Sequence, residues 1–141
     1  MITVKTKPYK PLKYPLVTTT DSAQYFVVNS DTIFLKETIQ ANMGGDTTNK
    51  LWSAFLQKNV DDLVPARHSA PGGLYAVTVS FFVNKDGSIS NVQIVHNPGY
   101  GTAEEVQRVM AESPKWQAGI YKGQKVKSLN RQTIYFAVTE E

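Results

Sequence analysis

The stretch from Tyr75 to Val83 constrains the fold more than any other, because Tyr75, Val77, Val79, Phe81 and Val83 alternate with Ala76, Thr78, Ser80 and Phe82. Side chains two residues apart share one face of a strand, so this segment predicts a strand with one wholly apolar face. Asn84-Lys85-Asp86-Gly87 follows, in which Gly87 can take positive φ, and Ser88 to Val95 returns as the second strand of a hairpin. The apolar phase shifts between Ile89 and the Val92/Ile94 pair, and a bulge near Ser90-Asn91 reconciles the two.

An apolar sheet face needs a cover, and the pattern on either side of the hairpin supplies two helices. Met43-Gly44-Gly45 breaks the preceding pattern, and Asp46 or Thr47 is placed to accept hydrogen bonds from the first free amides of a helix running to about Asn59. Leu51, Trp52, Ala54, Phe55 and Leu56 give that helix a wide apolar stripe in which Trp52 reads as core, and it stops near Asp61-Asp62, before Pro65. Thr102-Ala103-Glu104-Glu105 has the pattern of a capping box, Val106, Val109 and Met110 form the next stripe, and Ser113-Pro114 ends the second helix. Lys122-Gly123-Gln124 marks a turn. Val126 to Thr139 then alternates, with Ile134, Phe136 and Val138 inward and Lys127, Leu129, Arg131, Thr133 and Tyr135 outward.

The order helix, strand, strand, helix, strand implies an α+β two-layer sandwich, an antiparallel sheet of three to four strands with two helices on one face. Upstream, Tyr25-Phe26-Val27-Val28 and Thr32-Ile33-Phe34-Leu35 flank Asn29-Ser30-Asp31 and predict an added N-terminal β-hairpin. Lys7 to Pro15 carries three prolines in nine residues and reads as an extended linker. The expected division is a Lys/Pro-rich linker or tail over residues 1–20, the hairpin extension over 21–42, and the main domain over 43–141.

Most chemistry is excluded by residue type. With no cysteine there are no disulfides, thiolate metal sites or Cys nucleophiles. His68 and His96 are the only imidazoles, each in a loop or at a strand end and neither near a nucleophile motif. Asn84-Lys85-Asp86-Gly87 lacks the first acid and closing Glu of a calcium loop, and Gly44-Gly45-Asp46 lacks the Gly-Lys-Ser/Thr ending of a phosphate loop. No catalytic residue, metal site or cofactor is expected, and the chain reads as a non-enzyme. No apolar run approaches the roughly 18 residues of a spanning helix, and the start lacks a signal-peptide pattern, so any membrane contact is expected only through an anchor outside this stretch. Charge is segregated: residues 1–20 hold four lysines and no acid, residues 21–113 ten acids against six bases, and residues 114–139 five bases and no acid. Such a basic end steers acidic partners or forms a solvated face. With Tyr121 and Tyr135 it could serve nucleic acid, but no aromatic RNA-binding motif sits on the central strands, and no nucleic-acid partner is expected.

The ordered motifs carry a family resemblance. Gly44-Gly45 before the first helix, Gly73 to Val83 with Asn84-Lys85-Asp86-Gly87-Ser88-Ile89, Glu105-Val106-Gln107-Arg108-Val109, Pro114-Lys115-Trp116, Gly123-Gln124-Lys125-Val126 and Ile134-Tyr135-Phe136 follow one another as in a known domain. From Met43 to Val138 the chain resembles the TonB C-terminal domain, especially the form common in energy transducers of Bacteroidetes-type bacteria. It departs at Val64-Pro65, Ala118 and Thr133, where the family usually has Tyr-Pro, Pro and Pro.

The resemblance implies a domain of the Gram-negative periplasm or cell envelope that binds the TonB box of an outer-membrane TonB-dependent transporter and couples energy to nutrient uptake. The box would add as a strand to the last strand of the domain, so the implied partner-binding residues are Lys127, Ser128, Leu129, Asn130, Arg131, Gln132, Thr133, Ile134, Tyr135 and Phe136. Backbone groups would supply the affinity, with Lys127 and Arg131 attracting acids, and the same edge could form a homodimer. The alternative is a stand-alone periplasmic relative that transduces no energy, whose N-terminal hairpin covers that edge and whose partner or ligand is another.

Overall fold

The computed structural model describes residues 16–46 and 48–139, so the Lys7–Pro15 segment and the helix-capping candidate Thr47 lie outside the described residues. In chain order the elements are β1 (Val17–Thr18), β2 (Gln24–Val28), β3 (Asp31–Lys36), β4 (Asn42–Met43), α1 (Lys50–Asn59), α2 (Val64–Arg67), β5 (Gly73–Val83), β6 (Ile89–His96), α3 (Thr102–Ala111), β7 (Trp116–Gln117), β8 (Gly119–Tyr121) and β9 (Gln124–Val138).

The alternating segment is β5, and its Val77, Val79, Phe81 and Val83 are fully buried. It pairs antiparallel with β9 along its whole length, from Gly73↔Val138 to Val83↔Ser128, and with β6 on its other side. The register of β6 breaks twice, once across Asn91, which takes φ 52° where the apolar phase calls for a bulge, and once near Val95. β8 and β9 form a hairpin through Lys122-Gly123, both at positive φ as in a type I′ turn. β9, β5 and β6 are the three strands expected, and β8, which the pattern did not mark as a strand, pairs antiparallel with β9 as a fourth.

Helices α1 and α3 cover one face. Trp52, Val106 and Met110 meet Val77, Val79, Phe81, Val83, Ile134 and Phe136 in one cluster, with Trp116 5.3 Å from Trp52 and 5.2 Å from Phe81, ring to ring. Leu51, expected in the α1 stripe, is instead exposed, because one residue of a helix turns the side chain about 100° away from its neighbour and Trp52 takes the buried position. Asp46 accepts hydrogen bonds from the amides of Thr48 and Leu51, both at 2.9 Å, and so serves the start of α1 as expected. The one-turn α2 falls where the sequence reads as a break; Pro65 has the fixed φ that suits a first helical turn.

The N-terminal hairpin is the largest addition. β2 and β3 pair antiparallel around Asn29 and Ser30, both at positive φ, and β3 then lies parallel to β9 through Ile33↔Lys127 and Phe34↔Ser128. The sheet becomes a mixed one of seven strands. A separate apolar cluster holds the hairpin down: Phe34 is buried between Tyr25 and Tyr121, at 5.4 and 5.0 Å between ring centroids, above Val126 and Ala23.

Two contacts lock the remaining pieces. Gly87 takes φ 85° and its carbonyl accepts the Trp116 amide at 2.8 Å, and a Cβ there would stand 2.1 Å from the Trp116 carbonyl oxygen. Gly87→Ala is therefore expected to cost more than the ~1 kcal/mol of an ordinary glycine replacement, measured by urea denaturation, because both the turn and the approach of β7 must shift. The second contact is buried Glu37, just past β3. One carboxylate oxygen accepts the Ala41 amide at 3.1 Å, the other has no partner among the described residues, and the side chain packs on Gly119. Burial pushes this carboxyl above its ordinary value of 4.5. The folded state then holds the proton more tightly than the unfolded one. Its contribution is fully present below pH 4.5 and is lost as pH rises through the raised folded value. Denaturation of Glu37→Gln against pH is expected to lack that decline.

Candidate functional site

Partners on both sides determine what β9 can offer. β5 occupies one side from Ser128 to Val138, β3 pairs with Lys127 and Ser128 on the other, and β8 pairs with Gln124 to Val126 at the start of the strand. Past Ser128 no strand pairs with the second side among the described residues, which leaves an open row of backbone donors and acceptors toward Val138. The other long edge, β6, is bent by its two register breaks.

The ten residues implied by the family resemblance fall into three groups along this strand. Lys127 and Ser128 already pair with the hairpin, and the Lys127 ammonium lies 2.8 Å from the Asp31 carboxylate and 4.9 Å from the Phe82 ring centroid. Ser128, Ile134 and Phe136 point into the core, so their side chains are closed to any partner. Leu129, Arg131, Thr133 and Tyr135 stand on the face away from the helices, where the Thr133 and Thr78 hydroxyls are 3.2 Å apart and Tyr135 is 62% exposed. Asn130 and Gln132, on the helix side, bond to each other at 2.8 Å.

The helix layer supplies the rest of the site, and the sequence pattern did not reveal it. Ser53, Leu56, Gln57, Val60 and Asp62 face Thr133, Ile134 and Tyr135 across a groove of about 550 Å³ that runs beside the open edge. Leu56 of α1 and Val60, just past its end, are half-buried: they pack against the core cluster and line the groove with the side that stays open. That partial burial appears only once the helix is docked.

The groove wall is held by an ion-paired brace between helices. The buried Glu105 carboxylate accepts the Asp61 amide at 2.6 Å and two guanidinium bonds from Arg108, at 2.8 and 2.7 Å. Arg108 also donates to the Asn59 carbonyl at 2.8 Å, which satisfies the end of α1. The capping box expected of Thr102 and Glu105 does not form. Gly101 is the N-cap residue, the Thr102 hydroxyl donates to the Gly99 carbonyl at 2.7 Å, and Glu105 serves α1 rather than its own helix. The Arg108 bonds hold the Glu105 carboxyl below its ordinary value of 4.5.

The remaining sequence candidates stay local. Asp86 accepts the amide and hydroxyl of Ser88 at 3.0 and 2.6 Å and closes its own turn. The His68 ring lies against the Val64 carbonyl at 2.9 Å. No group of three or more His, Cys, Asp or Glu side chains gathers to hold a metal among the described residues, and no helix among them is long and apolar enough to cross a membrane.

A strand, Asp-Gly turn, strand and helix unit that returns as a long last strand, backed by helices on one face, defines a two-layer α+β domain with an open central edge. Residues 76–138 match the family model of the Gram-negative bacterial TonB protein C-terminal, so over that part the chain is similar to the TonB C-terminal family. The match starts inside β5 and ends on the last residue of β9, so the hairpin and α1 lie before it. No curated protein matches the chain.

Removing the brace tests its role in the wall. Glu105→Gln is expected to lose about 2 kcal/mol at pH 7, the scale of hydrogen bonds to charged groups. A lowered folded-state value means that the glutamate's stabilisation is present above pH 4.5 and lost as pH falls through that folded value. Denaturation curves of the two proteins should therefore converge in acid.

Proposed function

We propose that this TonB-like domain is a non-catalytic binding module of the Gram-negative cell envelope that takes up an extended segment of an outer-membrane TonB-dependent transporter, its TonB box, as an added strand. The observation that carries this reading is the open edge of β9 beside the groove under α1. Backbone amides and carbonyls along that edge supply affinity that depends little on side chains, and the groove receives every second side chain of the incoming segment. The family-model match over residues 76–138 supports the same reading, with energy coupling to nutrient uptake as the process served and the periplasm as the place.

One observation favours a second reading. The hairpin already occupies Lys127 and Ser128, as a cover strand would, in a stand-alone domain whose partner differs and which transduces no energy. Titration of ¹⁵N-labelled protein with peptides from the N-terminal plugs of candidate transporters separates the two. Strand addition is expected to shift the amides of residues 131–138 and protect them from exchange. If no peptide moves them, the transporter reading fails and the covered, stand-alone domain takes its place.

A further inference from the structure

The open edge is blocked at one end and charged on both faces, and together these features restrict what it can hold. β3 pairs with Lys127 and Ser128, and the same register brings Lys36 level with Asn130 before the chain turns off at Glu37. An added strand can pass that point only by displacing β3, which is held by buried Phe34 and by the 2.8 Å ion pair of Asp31 with Lys127. The open length is therefore 131–138. On the helix side, Asp62 is the one charged residue lining the groove next to Leu56 and Val60, and it is exposed with no ion pair among the described residues. On the opposite face Arg131 is exposed and likewise without an ion pair among them. Lys127, by contrast, has its charge matched by Asp31.

Successive side chains of an added strand point alternately to the two faces. One set meets Leu56, Val60 and Asp62; the other lies beside Arg131 and Tyr135. We infer that this edge selects a short extended segment of another protein, about eight residues against the strand, with apolar and basic side chains toward α1 and an acidic side chain beside Arg131. The inference rests on the strand-addition reading and adds to it a length limit set by the hairpin and a charge pattern set by Asp62 and Arg131.

The test titrates the full chain, ¹⁵N-labelled and at low salt, with three octapeptides that share one alternating Val/Ser pattern. In the first a Lys lies in the Val set and a Glu in the Ser set, in the second the two charges are exchanged, and in the third both are Gln. The first is expected to shift the amides of 131–138 and bind about threefold tighter than the neutral peptide, the exchanged one about threefold weaker, as exposed ion pairs allow. Asp62→Lys should narrow or reverse the order. Lengthening the first peptide by four residues toward the hairpin should bring no gain and leave the Ile33 and Phe34 amides unmoved. Equal binding of all three peptides at the edge overturns the charge pattern while strand addition stands. A gain on lengthening, with Ile33 and Phe34 shifting, overturns the length limit. No shift at 131–138 with any peptide overturns strand addition and this inference with it.

Discussion

The pairing of β5 with β9 is the constraint on which the rest of the molecule depends. It joins Gly73 to Val138 and Val83 to Ser128, so the chain must fold β6, α3, β7 and β8 and return before the ladder closes. The same ladder sorts side chains: with a period of two, Val77 and Ile134 go to the helix side and Thr78 and Thr133 to the other. A slip of one residue would turn the core face to solvent, which is why so long a ladder holds a single register. Once β5 fills one side of β9, every further partner must come to the opposite side. The hairpin takes the beginning of that side, and its remainder is the candidate site.

The helix layer depends on the ladder through two kinds of contact. Trp116, fixed by the hydrogen bond that its amide donates to the Gly87 carbonyl, packs between Phe81 and Trp52 and so seats α1 on the sheet. Glu105 and Arg108 then fasten the end of α1 and the backbone at Asp61. The groove beside residues 133–135 is the space left between a helix positioned by these contacts and a strand edge that stops being paired. Neither wall is built for the groove alone, since each is also part of the core.

Glu105 and Lys127 show where pattern reading misleads. Thr102 and Glu105 stand at capping-box spacing, but a carboxylate is drawn to the strongest donors in reach, and Arg108 with the Asp61 amide outcompetes a local backbone amide. Lys127 reads as a free cation on an outward face. It is outward, but the hairpin brings Asp31 beside it from 96 residues away. Arg131, four residues on, lies past the end of the hairpin and keeps the exposure that its pattern implied.

What acts over a few residues is legible along the chain. Alternation in Tyr75–Val83 and Val126–Thr139 sets the strands and their faces, Asn84–Gly87 and Lys122-Gly123 set the turns, and the phase shift after Ile89 announces the bulge at Asn91. These are properties of backbone sterics and of the two-residue period, which need no knowledge of distant neighbours. The two-layer α+β class follows from their order. Packing between distant segments sets the rest: β3 docks parallel on Lys127 and Ser128, the half-buried flank of α1 faces the open edge, and Glu105 with Arg108 braces the end of that helix. Those outcomes depend on which surfaces meet after the core has closed. Residues such as Ile33, Leu56 and Asp62 carry no local sign of the partner that packing assigns to them, or of the open groove that it leaves beside them.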